Sequence, residues 1–105
     1  MKKSYVLMTV LLALAGSFSS ATYAASITNG RVVALYTDPS DVVVELDTPG
    51  SCGSKFFHMQ RASLNFKEFT ALAMTAASLG KVMTLFQASC AGDRNILSHG
   101  GMLTK

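Results

Sequence analysis

The stretch NFKEFTALAMTAASLGKVMTL, residues 65–85, decides the fold, because it places one helix between strand-forming segments on either side. Asn65 with Glu68 three residues on predicts a capping box, and Leu64 just before the cap is placed to staple onto Phe69. Phe66, Phe69, Ala73, Ala76 and Leu79 recur at helical spacing, and Gly80 offers the left-handed residue that ends a helix. From Lys81 to Ala88 the pattern is that of a strand.

Three strands precede this helix. Ile27 to Thr37 is rich in β-branched residues, with Val33 and Leu35 alternating against Val32, Ala34 and Tyr36, and Gly30 is expected to mark a bulge or bend. Asp38-Pro39-Ser40-Asp41 has the chemistry of a type I turn. Val42, Val44 and Leu46 then alternate with Val43, Glu45 and Asp47, which turns one face of the second strand to a core and the other to water. Thr48-Pro49-Gly50 ends it. After the loop Ser51 to Ser54, Lys55 to Met59 forms a short third strand, and Arg94 to Leu103 forms the fifth, loosened by Gly100 and Gly101.

Strand, strand, strand, helix, strand, strand is the element order of the OB-fold, so the expected class is β-rich α+β: an OB-like five-stranded barrel with one helix between strands 3 and 4. An antiparallel sheet covered by one helix is the alternative. In the barrel the third and fifth strands run parallel, and the loops after strands two and four emerge at the same end. Those loops carry Cys52 and Cys90.

Further out, Lys2 and Lys3, an apolar run from Tyr5 to Ala15, and small residues up to Ala24 and Ala25 predict a secretory signal peptide over 1–24, followed by a single domain over 25–105. The apolar run is shorter than the roughly 20 residues needed to cross a bilayer. A periplasmic or secreted protein, without membrane insertion once the leader is removed, is therefore expected. Two of the nine basic side chains leave with the leader, against six acidic ones that stay. The near-neutral remainder, with no run of Lys or Arg, excludes nucleic acid as a partner on electrostatic grounds.

A domain of about 80 residues buries only about 60 to 65% of its unfolded surface and usually needs a covalent staple. Cys52 and Cys90 are the only cysteines, and export to an oxidising compartment makes a disulfide between them the default. The competing reading, two free thiols, lacks a neighbouring His or Lys to activate either one.

Catalysis has little material. His58 and His99 are not at metal-ligand spacing, Asp38 and Asp41 suit a turn better than a Ca²⁺ ion, and no serine elbow, phosphate loop or paired carboxylates occur. No enzyme activity, metal or cofactor is expected. The densest polar cluster is Asp93-Arg94-Asn95, in the loop that flanks the ligand face of an OB barrel. With Tyr36 at the end of strand one, these are the candidate ligand contacts. A solvated loop with an internal Asp–Arg pair is the plainer reading, and the absence of Trp weakens a sugar-stacking platform.

Between Glu68 and Lys81 the helix carries no charge. Its outer face holds Thr70, Ala71, Met74, Thr75 and Ser78, which suggests a surface covered by another copy of the chain, with Thr70, Met74, Thr75 and Ser78 as the interface. Small residues tolerated on a short exposed helix are the other explanation.

Phe66, Phe69, Ala73, Met74 and Gly80, followed directly by Val82-Met83-Thr84-Leu85, resemble the OB-type B subunits of bacterial AB-type toxins, especially the subtilase-cytotoxin and pertussis-like group. The resemblance implies an OB fold and a ring of subunits with the helices near its axis. It transfers no receptor-binding residue. The expectation is an exported, non-enzymatic binding module, B-subunit-like and oligomeric, that recognises a glycan or protein partner. The alternative is a monomeric periplasmic inhibitor or accessory protein acting through the disulfide-tethered Ser51 to Ser54 loop or the Asp93 to Asn95 loop.

Overall fold

A computed structural model describes residues 26–104, and the leader expected over 1–24 lies outside them. The chain forms β1 (Ser26–Thr37), β2 (Asp41–Leu46), β3 (Phe56–Gln60), α1 (Phe66–Leu79), β4 (Val82–Ala91) and β5 (Arg94–Met102). The strands hydrogen-bond in the order β1-β2-β3-β5-β4 and close on themselves as a barrel. Neighbours are antiparallel except β3 and β5, which are parallel. That parallel pair rules out the purely antiparallel sheet. Among the described residues no helix is long and apolar enough to cross a membrane.

β1 serves two partners. Its first half, Ser26 to Arg31, pairs with β4, and its second half, Val32 to Thr37, pairs with β2. The register slips between Val32 and Ala34, so the bulge falls at exposed Val33 instead of at Gly30. The physical reason is the change of partner: a strand that leaves one neighbour for another must bend there, and an extra residue supplies the bend.

Val42, Val44 and Leu46 of β2 face inward as expected, but the other face is not all turned to water: Val43 is buried, Glu45 half-buried and Asp47 exposed. Val44 and Leu46 join Phe57, Met59, Met83, Leu85 and Leu97 in the core, closed by Phe69, Ala73 and Ala76 of α1. Each large side chain buried there contributes about 1.5–3 kcal/mol. Two alanines on the contact face bring the helix backbone close to the barrel.

Gly80 ends α1 at φ 65°, with its N–H bonded to the Ala76 carbonyl. The start of the helix differs from expectation. Asn65 stands at the cap position but makes no capping bond, and its Nδ2 donates to the Ser98 carbonyl at 3.1 Å. Leu64 is fully exposed and staples nothing. A tie to β5 has displaced the local cap, since it fixes the helix onto the barrel, while the Phe66 N–H finds the Ser63 carbonyl at 3.1 Å.

Cys52 and Cys90 are disulfide-bonded across a separation of 38 residues. Closing a loop of that length stabilises a fold by about 4 kcal/mol on the chain-entropy estimate. Beside the bridge, buried Asn95 accepts from the Cys52 N–H at 3.0 Å and Gln87 Nε2 at 2.8 Å, and donates to the carbonyls of Ser54 and Phe56 at 2.9 and 2.8 Å. Gln87 Oε1 accepts from Thr28 Oγ1 at 2.6 Å. This polar chain links β1, β4, β5 and the loop before β3.

Asn95→Ala strands several of these partners, and should lower stability by about 2–4 kcal/mol in urea unfolding. Leu64→Ser, which touches nothing in the core, should stay within about 0.5 kcal/mol of the parent.

Candidate functional site

Residues directly opposite on paired strands project to the same side of a sheet. Tyr36 of β1 pairs with Val43 of β2, Val43 with His58 of β3, and His58 with Ile96 of β5. This row lies on the outer side of the barrel, because Val42, Val44, Phe57 and Met59 face in. Val43 and His58 are nevertheless buried, and above them opens a surface cleft of about 440 Å³.

The cleft is lined by Tyr36, Val43, Ser54, Phe56, His58, Asp93 and Arg94. Tyr36 and Phe56 make an aromatic wall, their ring centres 6.2 Å apart and tilted by 55°. Asp93 comes from the β4–β5 turn and Arg94 from the first position of β5. Three of the four residues singled out as ligand contacts, Tyr36, Asp93 and Arg94, thus meet in one place. The fourth, Asn95, is buried, with its carboxamide engaged in the network beside the disulfide.

Val43, Ser54 and Phe56 are not distinguished by residue type, and His58 stands out only as one of two histidines away from metal-ligand spacing. Their signal was phase: Val43 on β2, and Phe56 and His58 on β3, all fall on the side opposite the core residues.

Tyr36 Oη donates to Glu45 Oε1 at 2.9 Å. That hydrogen bond, and then the Glu45 charge, raise the phenol above its ordinary value of 10.0. At the floor, His58 Nδ1 lies 2.9 Å from Asp41 Oδ2. Asp38 closes the hairpin with its side chain: Oδ1 accepts from the N–H groups of Ser40 and Asp41 at 2.9 and 2.8 Å. Its carboxyl is held well below the usual range by hydrogen bonding with the Asp41 side chain and then by the Asp41 and Ser40 N–H groups. Asp38, Asp41 and His58 therefore stand together, with candidate ligand atoms within 4.8 Å of one another. Their hydrogen bonds describe a clamped turn and an oriented imidazole.

The second candidate region is the outer face of α1. Met74, Thr75 and Ser78 are exposed and Thr70 is half-buried. The hydroxyls of Thr70, Thr75 and Ser78 donate to the helix carbonyls of Phe66, Ala71 and Met74 at 2.8, 2.8 and 2.9 Å. Inward-turned hydroxyls leave this face less polar than its composition suggests. Alongside runs a groove of about 220 Å³ between the helix and β1–β2, lined by Leu35, Tyr36, Thr37, Val42, Thr70, Ala73 and Met74. Tyr36 borders both regions.

No protein-family model, curated protein or solved structure matches this chain. The arrangement of the site itself is what bears on function.

The chain has three tyrosines, Tyr5, Tyr23 and Tyr36, so the ionisation of Tyr36 is read as the difference between the parent protein and Tyr36→Phe. Its phenolate absorbance should appear at higher pH than in a free tyrosine, and Glu45→Gln should bring the transition back towards the ordinary value. Because the folded-state value is raised, this bond's contribution to stability is full below the unfolded value and is lost as pH rises through the folded one.

Proposed function

We propose that this chain is an exported, non-catalytic binding module with an OB-like barrel, which takes an oligosaccharide in the cleft over β2 and β3 and works as an oligomer, in the manner of the toxin B subunits its helix resembles. The observation that carries this reading is the position of the cleft. OB barrels bind on the face of strands 2 and 3, between the loops that follow strands 1 and 4. Here the cleft floor is Val43 and His58, and Asp93 and Arg94 close it from the β4–β5 side.

The chemistry supports a hydroxyl-rich ligand. An aromatic wall of Tyr36 and Phe56 offers apolar area to a sugar face, while Asp93, Arg94 and His58 offer donors and acceptors around it. One arginine beside Asp93 and the Tyr36–Glu45 pair is a poor match for a polyanion, which argues against nucleic acid here as well. The disulfide favours an oxidising compartment, periplasm or medium.

One observation favours the monomeric inhibitor or accessory reading instead. The Ser51 to Ser54 loop is held by the Cys52–Cys90 bridge and by Asn95, and a preorganised loop is what entry into a partner's cleft needs. Mass in solution separates the two. Light scattering should give a multiple of the monomer, and Met74→Glu with Thr75→Glu should reduce it to the monomer with circular dichroism unchanged. A monomeric parent protein would favour the inhibitor reading.

For the cleft, binding to an array of neutral and carboxylated oligosaccharides should fall at least tenfold in Tyr36→Ala and in Arg94→Ala, the scale of losing one well-placed contact. Binding by both variants as strong as the parent protein's, or no binding by the parent protein, would reject the cleft as a sugar site.

A further inference from the structure

His58 occupies the middle of the cleft floor with one ring nitrogen engaged. Nδ1 faces Asp41 Oδ2 at 2.9 Å, in a pair where the residues are only 6% and 7% exposed. Nε2 has no hydrogen-bond partner among the described residues, yet no buried side-chain nitrogen or oxygen among them lacks one. Nε2 is therefore within reach of solvent. The opening that His58 lines is the cleft.

Which nitrogen carries the proton follows from the partner. A carboxylate only accepts hydrogen bonds, so the ring nitrogen that faces Asp41 Oδ2 is the one that carries the proton, Nδ1–H. Asp41 is itself fixed: its Oδ1 accepts from Ser40 Oγ at 2.9 Å, and its N–H donates to Asp38 Oδ1 at 2.8 Å. A neutral ring with Nδ1–H has a bare Nε2, which only accepts.

We infer that His58 Nε2 is a fixed hydrogen-bond acceptor at the floor of the cleft, oriented by Asp41, and that it selects ligands presenting a hydroxyl or amide donor there. This deepens the proposed function and rests on the cleft being the binding face. The neighbours leave that role to His58. Val43 and Ile96, its partners across the sheet, have no polar side-chain atoms. The Tyr36 hydroxyl is committed to Glu45, and Ser54 Oγ to the backbone of Phe56. Asp93 and Arg94 stand on the β4–β5 side.

Long-range proton–nitrogen correlation NMR on the folded, unliganded protein at neutral pH reads the tautomer directly. A protonated Nδ1 with a bare Nε2 is expected, and Asp41→Asn should perturb that pattern. An Nε2–H tautomer in the parent protein would overturn the inference without touching the proposed function. Ligand selection is read with the best oligosaccharide from the array and its set of single-deoxy analogues. Removing one particular hydroxyl should weaken binding to the parent protein about tenfold, but should make no difference to His58→Phe, while His58→Gln should keep most of the discrimination. If His58→Phe discriminates the analogues as the parent protein does, the inference fails while the Tyr36 and Arg94 results still stand. If no oligosaccharide binds the parent protein, the proposed function fails and takes this inference with it.

Discussion

The closure of the barrel depends on one carboxamide. β3 and β5 meet through two residue pairs, Phe57 with Asn95 and His58 with Ile96, where each of the other seams has five or more. So short a parallel seam leaves the strand ends to be held by something else. Asn95 holds them, by reaching from β5 to the carbonyls of Ser54 and Phe56 and receiving the Cys52 N–H and Gln87 Nε2. Gly50 makes room for it, since a Cβ there would collide with the Asn95 side chain. The disulfide then secures the same corner covalently, so the two devices divide the task. The bridge limits how far the unfolded chain can separate these segments, and the carboxamide sets their register in the folded one.

Much of this architecture was legible because it was local. The alternation of Val42, Val44 and Leu46, the left-handed glycine at 80 and the element order need only neighbours a few residues apart. Asn95 shows where such reading stops. In the triplet Asp93-Arg94-Asn95 it has the look of a solvated loop, and nothing nearby reveals partners that lie 39 to 43 residues away. The start of the helix teaches the same lesson in reverse. Asn65 and Glu68 satisfy the pattern of a capping box, but a carbonyl 33 residues on, at Ser98, takes the asparagine instead. A side chain has only so many donors, and a tertiary partner that also positions the helix outweighs a local one.

The site was half legible for a related reason. Tyr36, Asp93 and Arg94 stand out as polar or aromatic residues at strand ends, where the ligand loops of an OB barrel lie. Val43 stands out, and His58 takes its place beside it, only when the phases of β2 and β3 are put together. Once the inward set is known, the outward set follows without further assumption, since successive side chains on a strand alternate. The Asp41–His58 contact, across 17 residues, depends on strand register, which the hydrophobic pattern constrains to odd or even but does not fix.

Tyr36 connects the two candidate surfaces. Its ring borders the cleft with Phe56 and borders the apolar groove with Thr70 and Met74, and the bond from its hydroxyl to Glu45 fixes the tip. The same ring thus contributes to both surfaces in one position. An occupant of the groove would bury one side of Tyr36 and leave its place in the cleft wall intact, so assembly through α1 and sugar binding are compatible in one structure. On the proposed function they would also reinforce each other energetically. A single open cleft with one aromatic wall and a few polar contacts gives weak affinity for a sugar, whereas several copies displayed together on a surface of sugars raise the effective strength by orders of magnitude without any new contact. On this reading the uncharged helix face and the modest cleft are parts of one design, with the first supplying the multiplicity that the second needs.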